Sequence, residues 1–262
     1  MFAEDEAALI VEAASGPDEL ETLVARRVTG EPLEQVLGWA EFCGLRIVVE
    51  PGVFVPRRRT ALLVEQTVEL LDGVAEPIVV DLCCGTGAVA AAVHQALGRG
   101  EIHAADIEPR AVHCARRNLD GIGTVHEGDL TAALPDDLIG RVDVMVVNAP
   151  YVPTDEIASM PPEARDHEPR VALDGGADGV DVHRRVADQA PRWLRSRGAL
   201  VIETSRRQAP LTLGSMTQHG FDARVVRSED LDATAVLGRK PADQAMRSRR
   251  APSGAPSAGR PS

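Results

Sequence analysis

The chain is poor in aromatic residues: its 262 residues include four Phe, two Trp and a single Tyr, Tyr151. Its core must therefore be built from Val, Leu, Ile and Ala. Lysine is nearly absent, since Lys240 is the one Lys among 28 basic residues. We read that bias as compositional rather than chemical. The four cysteines, Cys43, Cys83, Cys84 and Cys114, form no C-x-x-C pair, which leaves a zinc site or a disulfide framework without support. The seven His are scattered without ligand spacing, so no metal is expected. No stretch approaches the ~18 uncharged apolar residues of a membrane-spanning helix. The first residues, MFAEDEAALIVEAA, are acidic where a secretory leader is basic, so a cytoplasmic location is expected.

What is present suits a globular α/β protein. The apolar share is 44%, ample for a hydrophobic core in a chain of this length. The formal charge is −12. Residues 241–262 carry Arg247, Arg249, Arg250 and Arg260 against Asp243, so the body is more acidic than the whole. An acidic body argues against direct nucleic-acid binding, which calls for basic surface, and suits a basic partner.

The chain divides by pattern. Residues 3–15 and 17–28 read as helices broken at Gly16-Pro17-Asp18. A Gly-rich connector leads to a strand at 45–50, and apolar spacing predicts a helix over 60–72. From Pro77 the pattern becomes β-α-β. Strands are expected at 77–82, 102–106, 124–127, 142–147 and 199–203, alternating with helices at 88–98, 109–119, 181–195 and about 206–219. Strands 221–227 and 233–238 close a hairpin. A loop covers 148–180. Continuous apolar runs such as Ile78-Val79-Val80 mark strands buried on both faces, hence a doubly wound parallel sheet. The expected organisation is a small helical N-terminal domain (1–38), a connecting segment with a strand pair and a helix (39–72), the main domain (73–240) and a disordered low-complexity tail (241–262).

Asp81-Leu82-Cys83-Cys84-Gly85-Thr86-Gly87 lies between the first strand of that alternation and its helix. The glycines let the backbone approach a ligand, and the helix N-terminus behind them offers free N–H groups. The run Gly85-Thr86-Gly87-Ala88-Val89-Ala90 also satisfies the dinucleotide pattern G-x-G-x-x-A. Asp106, ending the next strand, suits a ribose under either reading. Asp81 separates the two, because a carboxylate there repels a pyrophosphate. It suits instead S-adenosylmethionine, which bears an ammonium and a sulfonium and no phosphate. Asp129, at the end of the third strand, is placed to reach an adenine amino group, with Leu130 against the ring.

The fourth strand ends in Asn148-Ala149-Pro150-Tyr151. This resembles the [N/D]-P-P-[Y/F/W] motif of amino-methyltransferases that act on planar nitrogens. The Asn148 side-chain carbonyl can accept one N–H of such a nitrogen and the Ala149 main-chain carbonyl the other. Pro150 stiffens the loop, and Tyr151 can pack over a planar acceptor.

Flanking segments sharpen the resemblance. Gly30-Glu-Pro-Leu-Glu-Gln-Val-Leu-Gly38, Phe42-Cys-Gly, Val53-Phe-Val-Pro-Arg57 and Glu168-Pro-Arg-Val-Ala-Leu-Asp-Gly-Gly176 are similar to motifs of the HemK/PrmC family, the release-factor glutamine N5-methyltransferases. The resemblance spans nearly the whole chain except the tail. It implies a Rossmann-like class I S-adenosylmethionine-dependent methyltransferase fold, with a seven-stranded mostly parallel sheet and a helical N-terminal domain that helps dock a protein substrate. It implies an acceptor glutamine in the Gly-Gly-Gln loop of a peptide-chain release factor. Cys83, Cys84, Gly85, Thr86, Gly87, Asp106, Leu130 and Asn148 would contact cofactor, and Phe54 with Asn148–Tyr151 would hold the glutamine. The chain departs from the family pattern at Arg58, Arg59 and Ala61, at Cys83 for a glycine and at Ala149 for a proline. Two other readings share this core: a nucleic-acid amino-methyltransferase acting on adenine N6 or guanine N2, and a non-catalytic cofactor-binding paralogue.

Overall fold

The computed structural model describes residues 3–242. Residues 1–2 and residues 243–262, most of the expected tail, lie outside the described residues.

Three helices come first: α1 (Ala3–Ala13), α2 (Pro17–Val28) and α3 (Leu33–Leu37). Extended Gly16 precedes α2, and Pro17 occupies its first turn, where a missing N–H costs nothing. The three share a small core of Ile10, Leu23, Leu33 and Val36, separate from the main ones. Helix α3 falls within what the sequence reads as a connector. An antiparallel pair follows, β1 (Trp39–Phe42) and β2 (Leu45–Val48), then α4 (Ala61–Leu70).

The remainder is one sheet. Its strands are β3 (Ile78–Leu82), β4 (Glu101–Asp106), β5 (Thr124–Glu127), β6 (Val142–Val147), β7 (Leu194–Glu203), β8 (Asp222–Ser228) and β9 (Ala233–Arg239). They lie in the order β5-β4-β3-β6-β7-β9-β8. The first five are parallel, while β9 runs antiparallel to both β7 and β8, as the expected hairpin requires. Helices α5 (Ala88–Leu97), α6 (Pro109–Asn118), α8 (Asp181–Trp193) and α9 (Ala209–Gln218) accompany the strands, and the short α7 (Pro162–His167) lies in the long segment after β6.

Alternate residues of one strand face opposite cores. Val79, Val144, Val146 and Val201 pack with α4 and α5 on one side. Val80, Met145, Val147 and Ile202 pack with α8 and α9 on the other. That two-sided burial explains why these strands lack polar alternation. Strand β7 begins five residues before the expected 199: Leu194 is in register with Val142 of the neighbouring β6, the register shifts before Ala199 meets Val144, and Arg195 pairs with Asp143. The chain reverses its order of addition between β3 and β6. The ends of these two strands therefore frame a crevice, the usual ligand position in such sheets.

Candidate functional site

A cavity of about 950 Å³ opens at the carboxyl ends of β3, β4 and β6. Its two ends differ in charge.

At one end stand Asp81, on β3, and Asp106, closing β4. Asp81 is 2% exposed and accepts the Ala90 N–H at 3.1 Å. Burial pushes its carboxyl up to about 7, the Ala90 bond opposes this, and nearby Asp106 adds to it. Asp106 accepts N–H bonds from Gly85 and Glu108, both at 2.9 Å. Burial raises its carboxyl as well, against those bonds. Neither acid has a cationic partner among the described residues. Two non-glycine residues here hold left-handed backbone, Cys83 at φ 56° and Leu130 at φ 51°. Such strain persists where the surroundings impose it, often at ligand sites. The cysteines are free thiols, and burial drives Cys83 and Cys84 well above the ordinary thiol range, with Asp106 adding to it.

The other end carries Asn148, Ala149, Pro150 and Tyr151 after β6, and Phe54 lines the same cavity. Asn148 Nδ2 donates to Thr60 Oγ1 at 3.4 Å, which leaves the amide oxygen unused by that contact. The Tyr151 hydroxyl accepts from Arg59 Nη2 at 2.8 Å and donates to Glu203 Oε1 at 3.5 Å. Arg59 Nε donates to the same Glu203 oxygen at 3.3 Å. Burial, then Glu203, pushes the Tyr151 hydroxyl up to about 12, with Arg59 opposing. Arg57 pairs with buried Glu168 and lies 5.5 Å from the centre of the Phe54 ring. Burial raises both Glu168 and Glu203, against the pull of Arg57 and Arg59 respectively. Each arginine here thus meets its own acid, so this end is charge-balanced.

The structure brings most of the sequence-derived residues to the cavity: Asp81, Cys83, Cys84, Gly85, Thr86, Asp106, Asp129, Leu130, Phe54 and Asn148–Tyr151 all line it. Gly87 does not. It packs α5 against α6, where a Cβ would sit 3.1 Å from Leu119 Cδ1 and 3.3 Å from Ala115 Cβ. Asp129 is at the rim and paired with Arg185. Sequence reasoning missed Thr60, Glu168 and Glu203. Glu168 stands in a flanking motif and Glu203 at a strand end, but their partners are 111 and 144 residues away. Only the fold joins them. Arg57 and Arg59 are the ion-pair partners of these two acids.

The family described as "Methyltransferase small domain" matches residues 44–160. The release factor glutamine methyltransferase of Geobacter sulfurreducens is 39% identical over 211 residues, covering 78% of this chain and 72% of its own. A 4-amino-L-phenylalanine/4-methylamino-L-phenylalanine methyltransferase of Streptomyces pristinaespiralis is 35% identical, over 69% of this chain and 63% of its own. A methyltransferase structure from Pyrococcus furiosus superposes with a TM-score of 0.55 at 13% identity, covering 84% of this chain and 99% of that one. That last likeness speaks to the fold alone.

Proposed function

The chain belongs to the release factor glutamine methyltransferase family, and from that premise we propose that it methylates, from S-adenosylmethionine, the side-chain amide nitrogen of a glutamine in a peptide-chain release factor. The observation that carries this reading is the polarity of the cavity. One end has two acids, Asp81 and Asp106, with no cationic partner among the described residues, and at the other the arginines are matched by acids and the Asn148 amide oxygen has no partner among the described residues.

The acidic end fits a cofactor with positive charge and no phosphate. When bound, that cofactor supplies an electrophilic methyl on its sulfonium. Asp81 and Asp106 would hold its ammonium and its ribose. Asp129 and Leu130 would border the adenine, and the Gly85 turn would let the main chain come close. At the neutral end, Asn148 Oδ1 and the Ala149 carbonyl each accept one N–H of the acceptor amide. Holding both hydrogens orients the nitrogen and favours positive charge developing on it. Ala149 can supply this carbonyl in place of a proline, with a looser loop, because the group involved is main-chain. Tyr151 and Phe54 wall the slot.

An aromatic amine of a free amino acid is the second acceptor class, and the Streptomyces relative favours it. Such a substrate needs a cation for its carboxylate. Arg57 and Arg59 are already paired with Glu168 and Glu203, which favours an uncharged amide within a protein. The acidic body suits a basic protein partner. In this reading residues 1–38 help dock that partner, residues 39–72 connect, residues 73–240 transfer the methyl group, and the work is done in the cytoplasm.

Incubation with methyl-labelled S-adenosylmethionine and a release factor tests the proposal. Label on the protein is expected. Label on nucleic acid or a free amine, with none on protein, overturns it.

A further inference from the structure

Val147 of β6 is in register with Ile202 of β7, so the next residues, Asn148 and Glu203, stand at the ends of neighbouring strands. Thr60 joins them. Its hydroxyl is buried and accepts from Asn148 Nδ2. Burial raises the Glu203 carboxyl, and Thr60, followed by Arg59, is foremost among the groups that pull it back. Glu203 Oε2 is sealed from solvent and has no hydrogen-bond partner, while Thr60 touches Asn148 at the neighbouring strand end and follows Arg59, whose Nε donates to Glu203 Oε1 at 3.3 Å.

The direction of the chain follows from donor and acceptor chemistry. An ionised carboxylate only accepts, and Arg59 favours that form. The Thr60 proton therefore turns toward Glu203. Its lone pairs turn toward Asn148, which must answer with a donor, Nδ2. The amide oxygen is left for the cavity.

We propose that Glu203 is a positioning residue: through the Thr60 hydroxyl it fixes which end of the Asn148 amide meets the acceptor, and through Arg59 it holds the Tyr151 hydroxyl. The consequence for turnover rests on the glutamine reading above; the orientation of the amide does not. Reversal of the relay would present Asn148 Nδ2 to the acceptor, donor against donor.

Thr60→Val is nearly isosteric and removes only the hydroxyl, whereas Thr60→Ser keeps it. Glu203→Gln lets a side-chain amide donate to Thr60 and reverse the relay. With a release factor as acceptor, Thr60→Val and Glu203→Gln should lower kcat about a hundredfold, the scale of a misplaced reacting group. KM for S-adenosylmethionine should stay within about threefold, since the loss falls on turnover. Thr60→Ser should recover most of the rate. The side-chain amide resonances of Asn148 in nitrogen-15-labelled protein, assigned through Asn148→Asp, should shift in Thr60→Val and return in Thr60→Ser. Equal unfolding temperatures confirm that the variants fold. Turnover by Thr60→Val equal to wild type, or amide resonances that ignore Thr60, overturns the proposal. A wild type that labels no release factor overturns the acceptor reading instead, and the amide resonances still decide the relay.

Discussion

The Gly85 N–H donates to Asp106 Oδ2 at 2.9 Å, tying the turn after β3 to the acid that ends β4. The other oxygen of Asp106 holds the Glu108 N–H at the start of α6. One carboxylate thus organises two loops of the acidic end. Asp106→Ala should weaken S-adenosylmethionine binding by about 10–100-fold, since hydrogen bonds to charged groups contribute about 1.5–3 kcal/mol each. Calorimetry reads this directly, and unchanged affinity would remove Asp106 from the site.

Asp81 should make cofactor binding depend on pH. Its carboxyl, raised by burial to about 7, must be ionised to favour a cation. Affinity should fall about tenfold per unit as pH drops below 7, by linkage. Asp81→Asn should bind weakly without that slope. Stability of the empty protein runs the other way. A carboxyl whose folded pKa exceeds its unfolded value of about 4 stabilises below that value and loses the contribution as pH rises toward 7. At pH 8, Asp81→Asn should therefore melt higher, by about 2–4 °C for each kcal/mol recovered.

Gly85 and Gly87 share a motif but not a task. A Cβ on Gly85 meets no protein atom within 4 Å, whereas one on Gly87 meets Leu119 and Ala115. Both positions are left-handed, at φ 54° and 76°. Gly87→Ala should cost about 1–3 kcal/mol of stability through overpacking and strain. Gly85→Ala should lose less stability and more cofactor affinity. Paired melting and binding measurements separate the two; equal stability losses would refute the distinction.

Cys83 occupies a left-handed position that resembles a glycine site in the family. Removing its Cβ relieves about 1–2 kcal/mol, while glycine's freedom in the unfolded chain returns about 0.5–1. Cys83→Gly should be more stable by the difference, readable as a rise in urea midpoint. A lower midpoint would show that the thiol contributes packing that outweighs the strain.

The sheet was legible in the sequence because its strands are buried on both sides and read as unbroken runs such as Val142–Val147. The tetrapeptide after β6 stood out because it holds the lone tyrosine. Helix α3 was not legible: five residues between Pro32 and left-handed Gly38 are too few to show a period. The start of β7, Leu194-Arg-Ser-Arg, has no apolar alternation and is set by its neighbour β6. The pairs Arg57–Glu168 and Arg59–Glu203 depend on folding to meet at all. In the sequence nothing assigns partners to the three consecutive arginines. In the structure, two of them neutralise buried acids beside the acceptor slot.

The central claim is that Asn148 presents a glutamine side-chain nitrogen for methylation. Fragment-ion mass spectrometry of a release factor, treated with S-adenosylmethionine and either the wild type or Asn148→Ala, tests it most directly. A single added methyl on the side-chain amide of a glutamine is expected with the wild type. No product is expected with the variant, while its cofactor affinity stays within about tenfold because only one cofactor contact is lost. A methyl group on any other atom, or full activity in Asn148→Ala, would contradict the account.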